Sequence, residues 1–94
     1  MNETTYHYSY LAANAATQVK TGTGKLHSVV INTAGASSNV ITLYDGTDTN
    51  GTVIAVIDGT AAAGNILLYD VQFITGLHVV IGTGTAAKIT ISYL

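Results

Sequence analysis

Ten glycines and no proline cut this 94-residue chain into short runs rich in valine, isoleucine and threonine. No interval between the runs is long enough for a crossover helix, so a parallel βαβ sheet is excluded. Runs of this kind, bounded by glycine and asparagine-glycine turns, read as strands. The pattern predicts eight of them, at 6–11, 17–20, 25–33, 39–45, 52–58, 65–72, 77–82 and 88–94. The alanine-rich stretch 11–16 is the one possible helical stretch, but it is short and reads as a loop or a single turn. Asp45-Gly46 and Asn50-Gly51 bracket a hairpin loop, because both dipeptides tolerate the positive φ of a tight turn.

Eight short strands in one small domain leave a two-sheet sandwich or a small barrel. The expected fold is all-β, an antiparallel β-sandwich, with a jelly roll favoured over an immunoglobulin-like topology. The Cys…Trp…Cys core of an immunoglobulin domain is absent. Residues 17–94 form the expected sandwich, and 1–16 an N-terminal arm or edge strand. In the last run Ile89, Ile91 and Tyr93 alternate with Lys88, Thr90 and Ser92, which predicts one buried and one solvated face. The runs Val53–Ile57 and Leu77–Ile81 are apolar on both faces. Such strands sit centrally or have their outer face covered by a neighbour. A weak echo links Gly24–Ile31 with Gly76–Ile81, too ill-defined in period for a repeat array.

Charge excludes several functions. Only 9% of residues are charged, against about 25% in an ordinary domain. A surface so poor in charge is weakly protected against self-association, which predicts that other subunits cover part of it. The three basic residues, Lys20, Lys25 and Lys88, form no cluster, so nucleic acid is not an expected partner. No apolar run reaches the roughly 20 residues of a membrane-spanning helix, and no membrane is expected. The N-terminal residues lack the pattern of a secretory signal, which predicts synthesis in a cytoplasm.

Catalytic constellations are missing from the pattern. The chain has no cysteine and no Gly-x-Ser-x-Gly, and Gly82-Thr83-Gly84 lacks the continuation of a phosphate loop. His7, His27 and His78 are scattered. His27 and His78 each neighbour a leucine in a predicted strand and should point away from that leucine's face. They form a pair only if their strands are neighbours. Asp45, Asp48 and Asn50 suggest a calcium loop, but with Asp48 and Asn50 at positions three and five, Gly46 and Ile57 fall where ligands are required. No enzyme activity, cofactor or metal is expected. The most distinctive local feature is Tyr6-His7-Tyr8-Ser9-Tyr10, which places three tyrosines on one face of an extended segment. Tyr6, Tyr8 and Tyr10 are the candidate interface residues, because tyrosine joins a large apolar body to a polar tip.

Residues 25–94 carry Ile41-Thr42-Leu43-Tyr44-Asp45-Gly46-Thr47 and Asn50-Gly51-Thr52-Val53-Ile54-Ala55. They continue with Phe73-Ile74-Thr75-Gly76-Leu77-His78-Val79-Val80-Ile81 and Ala87-Lys88-Ile89-Thr90-Ile91-Ser92-Tyr93. This stretch resembles small β-rich proteins encoded among the particle genes of tailed bacteriophages. The resemblance implies a virion component: a capsid decoration (cement) protein, or a small module of a fibre or spike. It implies a homo-oligomer, commonly a trimer, that contacts the major capsid protein or another virion protein. The expected location is the virion, at the capsid surface in preference to the tail, after synthesis in the host cytoplasm. The alternative is a receptor- or carbohydrate-binding module of a tail fibre or spike. The tyrosine-rich segment lies outside the resemblance.

Overall fold

A computed structural model describes residues 5–94. It contains eight strands and no helix: β1 (His7–Leu11), β2 (Ala16–Thr21), β3 (Gly24–Thr33), β4 (Val40–Asp45), β5 (Thr52–Asp58), β6 (Ile66–Phe73), β7 (Gly76–Ile81) and β8 (Lys88–Tyr93). Each lies within one residue of its sequence expectation at either end. Segment 12–15 is a loop, as its length requires.

The strands form two four-stranded antiparallel sheets, ordered β1-β8-β3-β6 and β2-β7-β4-β5. Every connection except the β4–β5 hairpin crosses from one sheet to the other, which is the jelly-roll path. The molecule is 16 Å along its shortest axis, room for two layers and one core between them. Leu26, Val29, Ile31, Phe73, Ile89 and Ile91 fill that core from the first sheet, and Ile41, Leu43, Ile57, Leu77, Val79 and Ile81 from the second. Burying one such side chain contributes about 1.5–3 kcal/mol. The period-two pattern of β8 appears as read: Ile89 and Ile91 are fully buried, whereas Lys88 is exposed and Thr90 and Ser92 are half-buried.

The two doubly apolar strands separate. β7 lies inside its sheet with Leu77, Val79 and Ile81 in the core. β5 is an edge strand, and its outward Val53 and Val56 are 50% and 66% exposed. Nothing in the described residues covers them.

Asn39 ties one end of the sandwich together. It precedes β4 and is fully buried. Its Nδ2 donates to the carbonyls of Gly82 (3.1 Å) and Thr83 (2.9 Å), and its Oδ1 accepts from the amide of Ala87 (3.1 Å). Two carbonyls and one N–H admit only this orientation of the amide. The Asn39 carbonyl also accepts from Gly59. Gly59 is glycine for steric reasons, since a Cβ there would strike the Asn39 side chain.

Candidate interaction surface

Strand register places the tyrosines. Tyr8 pairs with Ser92, Ser92 with Ser28 and Ser28 with Leu68. Tyr10 pairs with Thr90, Thr90 with Val30 and Val30 with Ile66. Side chains directly opposite one another in an antiparallel sheet share a face. Ile89 and Ile91, which alternate with these residues on β8, are in the core, so both rows lie on the outer face of the β1-β8-β3-β6 sheet. Tyr8 and Tyr10 are 73% and 55% exposed on one edge, Ile66 and Leu68 64% and 67% exposed on the other. Between them Ser28 is nearly closed to solvent, and Val30, Thr90 and Ser92 are half-buried. Bulky edges and small centres make a shallow trough.

One end of the trough is walled. The Tyr6 ring stacks on His27 with centroids 4.1 Å apart and planes 12° from parallel. His27 Nδ1 lies 2.5 Å from Asp70 Oδ1. A carboxylate only accepts, so Nδ1 carries the proton and donates it. Lys25 Nζ is 3.6 Å from the same oxygen. The His27 hydrogen bond, the nearby charge of His27 and Lys25 hold the Asp70 carboxyl below its ordinary pKa. Asp70 sits at a bulge between β3 and β6 with φ of 49°, a conformation aspartate tolerates better than most residues. Tyr6, Tyr8 and Tyr10 therefore share the outer face that alternation predicts. Asp70, Ile66 and Leu68 join them only through strand order, which no single sequence displays.

The second outer face is built differently. Gln18, His78, Tyr44 and Val53 form one row, and Ala16, Val80, Thr42 and Val56 the next. His78 is 8% exposed, with its Nδ1 2.7 Å from Gln18 Oε1. Gln18 Nε2 donates to the Lys20 and Gly46 carbonyls, which leaves Oε1 as acceptor and Nδ1 as donor. The Tyr44 ring flanks His78 at 6.2 Å between centroids. Both histidines face away from their neighbouring leucines. They lie on opposite outer faces of the sandwich, so they form no pair. His7 sits on the first sheet beside Tyr93.

The acidic loop also has a local explanation. Asp45 accepts from the amides of Ile74 (2.9 Å), Thr75 (2.8 Å) and Gly76 (3.3 Å) and fixes the β6–β7 turn. These bonds, that from Ile74 foremost, hold its carboxyl below the ordinary value. Asp48 accepts from the Asn50 amide within the β4–β5 loop, an Asx-turn. No group of three His, Cys, Asp or Glu side chains gathers among the described residues.

The charged side chains among the described residues follow one rule. Lys20, Lys25, Asp45, Asp58 and Lys88 lie within two residues of a strand end, Asp48 in a loop and Asp70 at a bulge. The central rows of both outer faces contain none.

No family model matches the chain, and no curated protein matches it. Solved structures do. The Drosophila NLP core, described for pentamer formation and histone binding, superposes with a TM-score of 0.58 at 13% identity, over 97% of this chain and 99% of its own. A subunit of the Bacillus endospore appendages, a family of disulfide-linked pili, gives 0.57 at 14% identity, over 98% of this chain and 87% of its own. Likeness at such low identity shows a shared fold, an eight-stranded β-sandwich, and nothing further.

Proposed function

We propose that this chain is a structural subunit of a virus particle that packs its uncharged sheet faces against other subunits, as a capsid decoration protein does. The observation that carries the proposal is the distribution of charge. Both outer faces present exposed apolar side chains along their edge strands and no charge across their centres, and among the described residues ionic groups are confined to strand ends, turns and one bulge. Interface cores are depleted of charge in the same way. The sequence resemblance to phage particle proteins supplies the virion context. The two superposing structures are compatible with self-assembly, one being described as a pentamer and the other as a pilus. A subunit that binds the assembled shell and not its separated parts stabilises the shell by mass action. That role needs a surface, not a catalytic centre.

Exposed tyrosines beside serine and threonine hydroxyls also favour the alternative, a carbohydrate-binding module. The two readings divide on experiment. Native mass measurement of the purified chain should show a defined homo-oligomer, and antibody labelling of intact particles should decorate the head. A monomer absent from particles, or binding on a glycan array with no particle labelling, would overturn the decoration proposal.

A further inference from the structure

The outer face of the β1-β8-β3-β6 sheet has a cross-section that fits its own copy. Tyr8 and Tyr10 stand as a ridge on β1, and Ile66 and Leu68 as a second ridge on β6. The floor between them, on β8 and β3, carries Ser92, Thr90, Ser28 and Val30. Adjacent strands lie about 4.8 Å apart, so the ridges stand roughly 14 Å from one another and a tyrosine ring fits between them.

Building on the assembly reading above, we infer that two copies pack this face together about a two-fold axis parallel to the strands, each Tyr8–Tyr10 ridge lying in the other's trough. Ridge and trough on one surface are what an isologous contact requires. Charge agrees: neither row contains an ionic side chain, so two copies of net charge −2 meet without placing like charges opposite one another. Area agrees as well. The four bulky side chains expose on the order of 500–600 Å² per copy, the larger part of the roughly 800 Å² that each partner gives to a standard interface.

The tyrosine hydroxyls find partners in the opposing floor. Thr90 Oγ1 already accepts from Asn32 Nδ2 at 2.8 Å, which leaves its own O–H free to donate to a tyrosine oxygen. The wall of Tyr6 stacked on His27 stops the ridge from sliding past that end and so sets the register. The opposite outer face is a weaker candidate, with three partly exposed valines, the polar His78–Gln18 pair and Asp58 at its margin. An isologous contact closes at two copies, so a trimer of the kind the resemblance implies would need a different surface.

The test uses sedimentation velocity on the full chain and three variants. The wild type should sediment as a dimer, or as an even-numbered oligomer. Y8S/Y10S removes two aromatic anchors and should weaken association roughly 100-fold. V53S/V56S, on the other sheet, should leave it unchanged. Photo-oxidation with persulfate and a sensitiser should join the two ridges of the wild-type dimer through a dityrosine bond. Y8F/Y10F keeps the ridge and should sediment as a dimer, yet lose that cross-link. Unchanged association in Y8S/Y10S, or an undiminished cross-link in Y8F/Y10F, overturns the inference. Dissociation by V53S/V56S alone overturns it too but leaves the assembly reading standing. A wild-type monomer at high concentration overturns the inference, and it ends the assembly reading as well when the chain is also absent from particles.

Discussion

Replacing Asn39 by alanine should cost about 3 kcal/mol of stability, and the figure follows from three unequal hydrogen-bond losses and one emptied volume. The Ala87 amide is in a fully buried residue, and without Asn39 Oδ1 it has no replacement partner. An orphaned buried donor costs about 1–3 kcal/mol. Thr83 is exposed, so water can reach its carbonyl and the loss there is about 0.5 kcal/mol. The Gly82 carbonyl keeps a second donor in Asn14 Nδ2, so its share is smaller still. The emptied side-chain volume adds roughly another 1 kcal/mol. For a domain of this size the sum lowers the melting temperature by roughly 10–20 °C. Urea unfolding at one fixed protein concentration measures it, because association would otherwise shift the midpoint.

Asn39→Asp sharpens the test. Its shape is unchanged, but an ionised carboxylate would face two carbonyl oxygens with no proton to offer. Burial and those oxygens raise the folded-state pKa of the new group above the unfolded value near 3.9. Stability is then fully present below the unfolded pKa and lost as pH rises through the folded one. The gap between wild type and Asn39→Asp should therefore widen from pH 4 to pH 7. An Asn39→Ala cost under about 1 kcal/mol, with a gap for Asn39→Asp that does not change with pH, would refute the claim that this amide holds the end of the sandwich.

Three further outcomes are expected. Asp45→Ala should loosen the β6–β7 turn through loss of three amide bonds, and amide exchange at Ile74, Thr75 and Gly76 should quicken. Asp45, Asp58 and Asp70 all have depressed carboxyl pKa values, Asp58 through its bonds from Thr60. Their contribution is present above the unfolded pKa and lost as pH falls through the depressed folded values, so urea midpoints should be flat from pH 7 to about 5 and fall below pH 4. Gly84 and Gly22 both have positive φ, but a Cβ at Gly84 would meet the Ser37 and Ala36 carbonyls at 2.5 and 2.6 Å, whereas Gly22 faces open space. Gly22→Ala should cost about 1 kcal/mol of backbone strain and Gly84→Ala clearly more, by thermal melting.

The strands were legible because their cause is local. Alternation in Lys88–Tyr93 and the glycine turns need no knowledge of distant residues, and the same period put three tyrosines on one face. The trough was not legible, because it is a product of strand order. Ser28 and Leu68 are forty residues apart in sequence, and only the crossing connections of the jelly roll bring them into one row. The pairing of His27 with Asp70 was hidden for the same reason, compounded by a bulge that shifts the alternation. Asn39 looked like the first residue of a strand. Its burial comes from loops 59, 82–83 and 87 closing over it, and nothing local announces that.

Edge chemistry supports the proposed association through faces over strand addition. A regular edge strand invites another chain to continue the sheet, and bulges discourage it. Three of the four edge strands are bulged: β2 between Gln18 and Lys20, β5 opposite Leu43 and Tyr44, and β6 opposite Leu26 and Ser28. β2 adds a lysine at its bulge, and β6 adds the positive-φ Asp70. Only β1 runs without a register shift, for five residues. That strand carries the Tyr8–Tyr10 ridge. Its straightness keeps both rings in line with Ser92 and Thr90, so one regular edge serves the trough beside it, and a bulge there would turn one tyrosine out of the row.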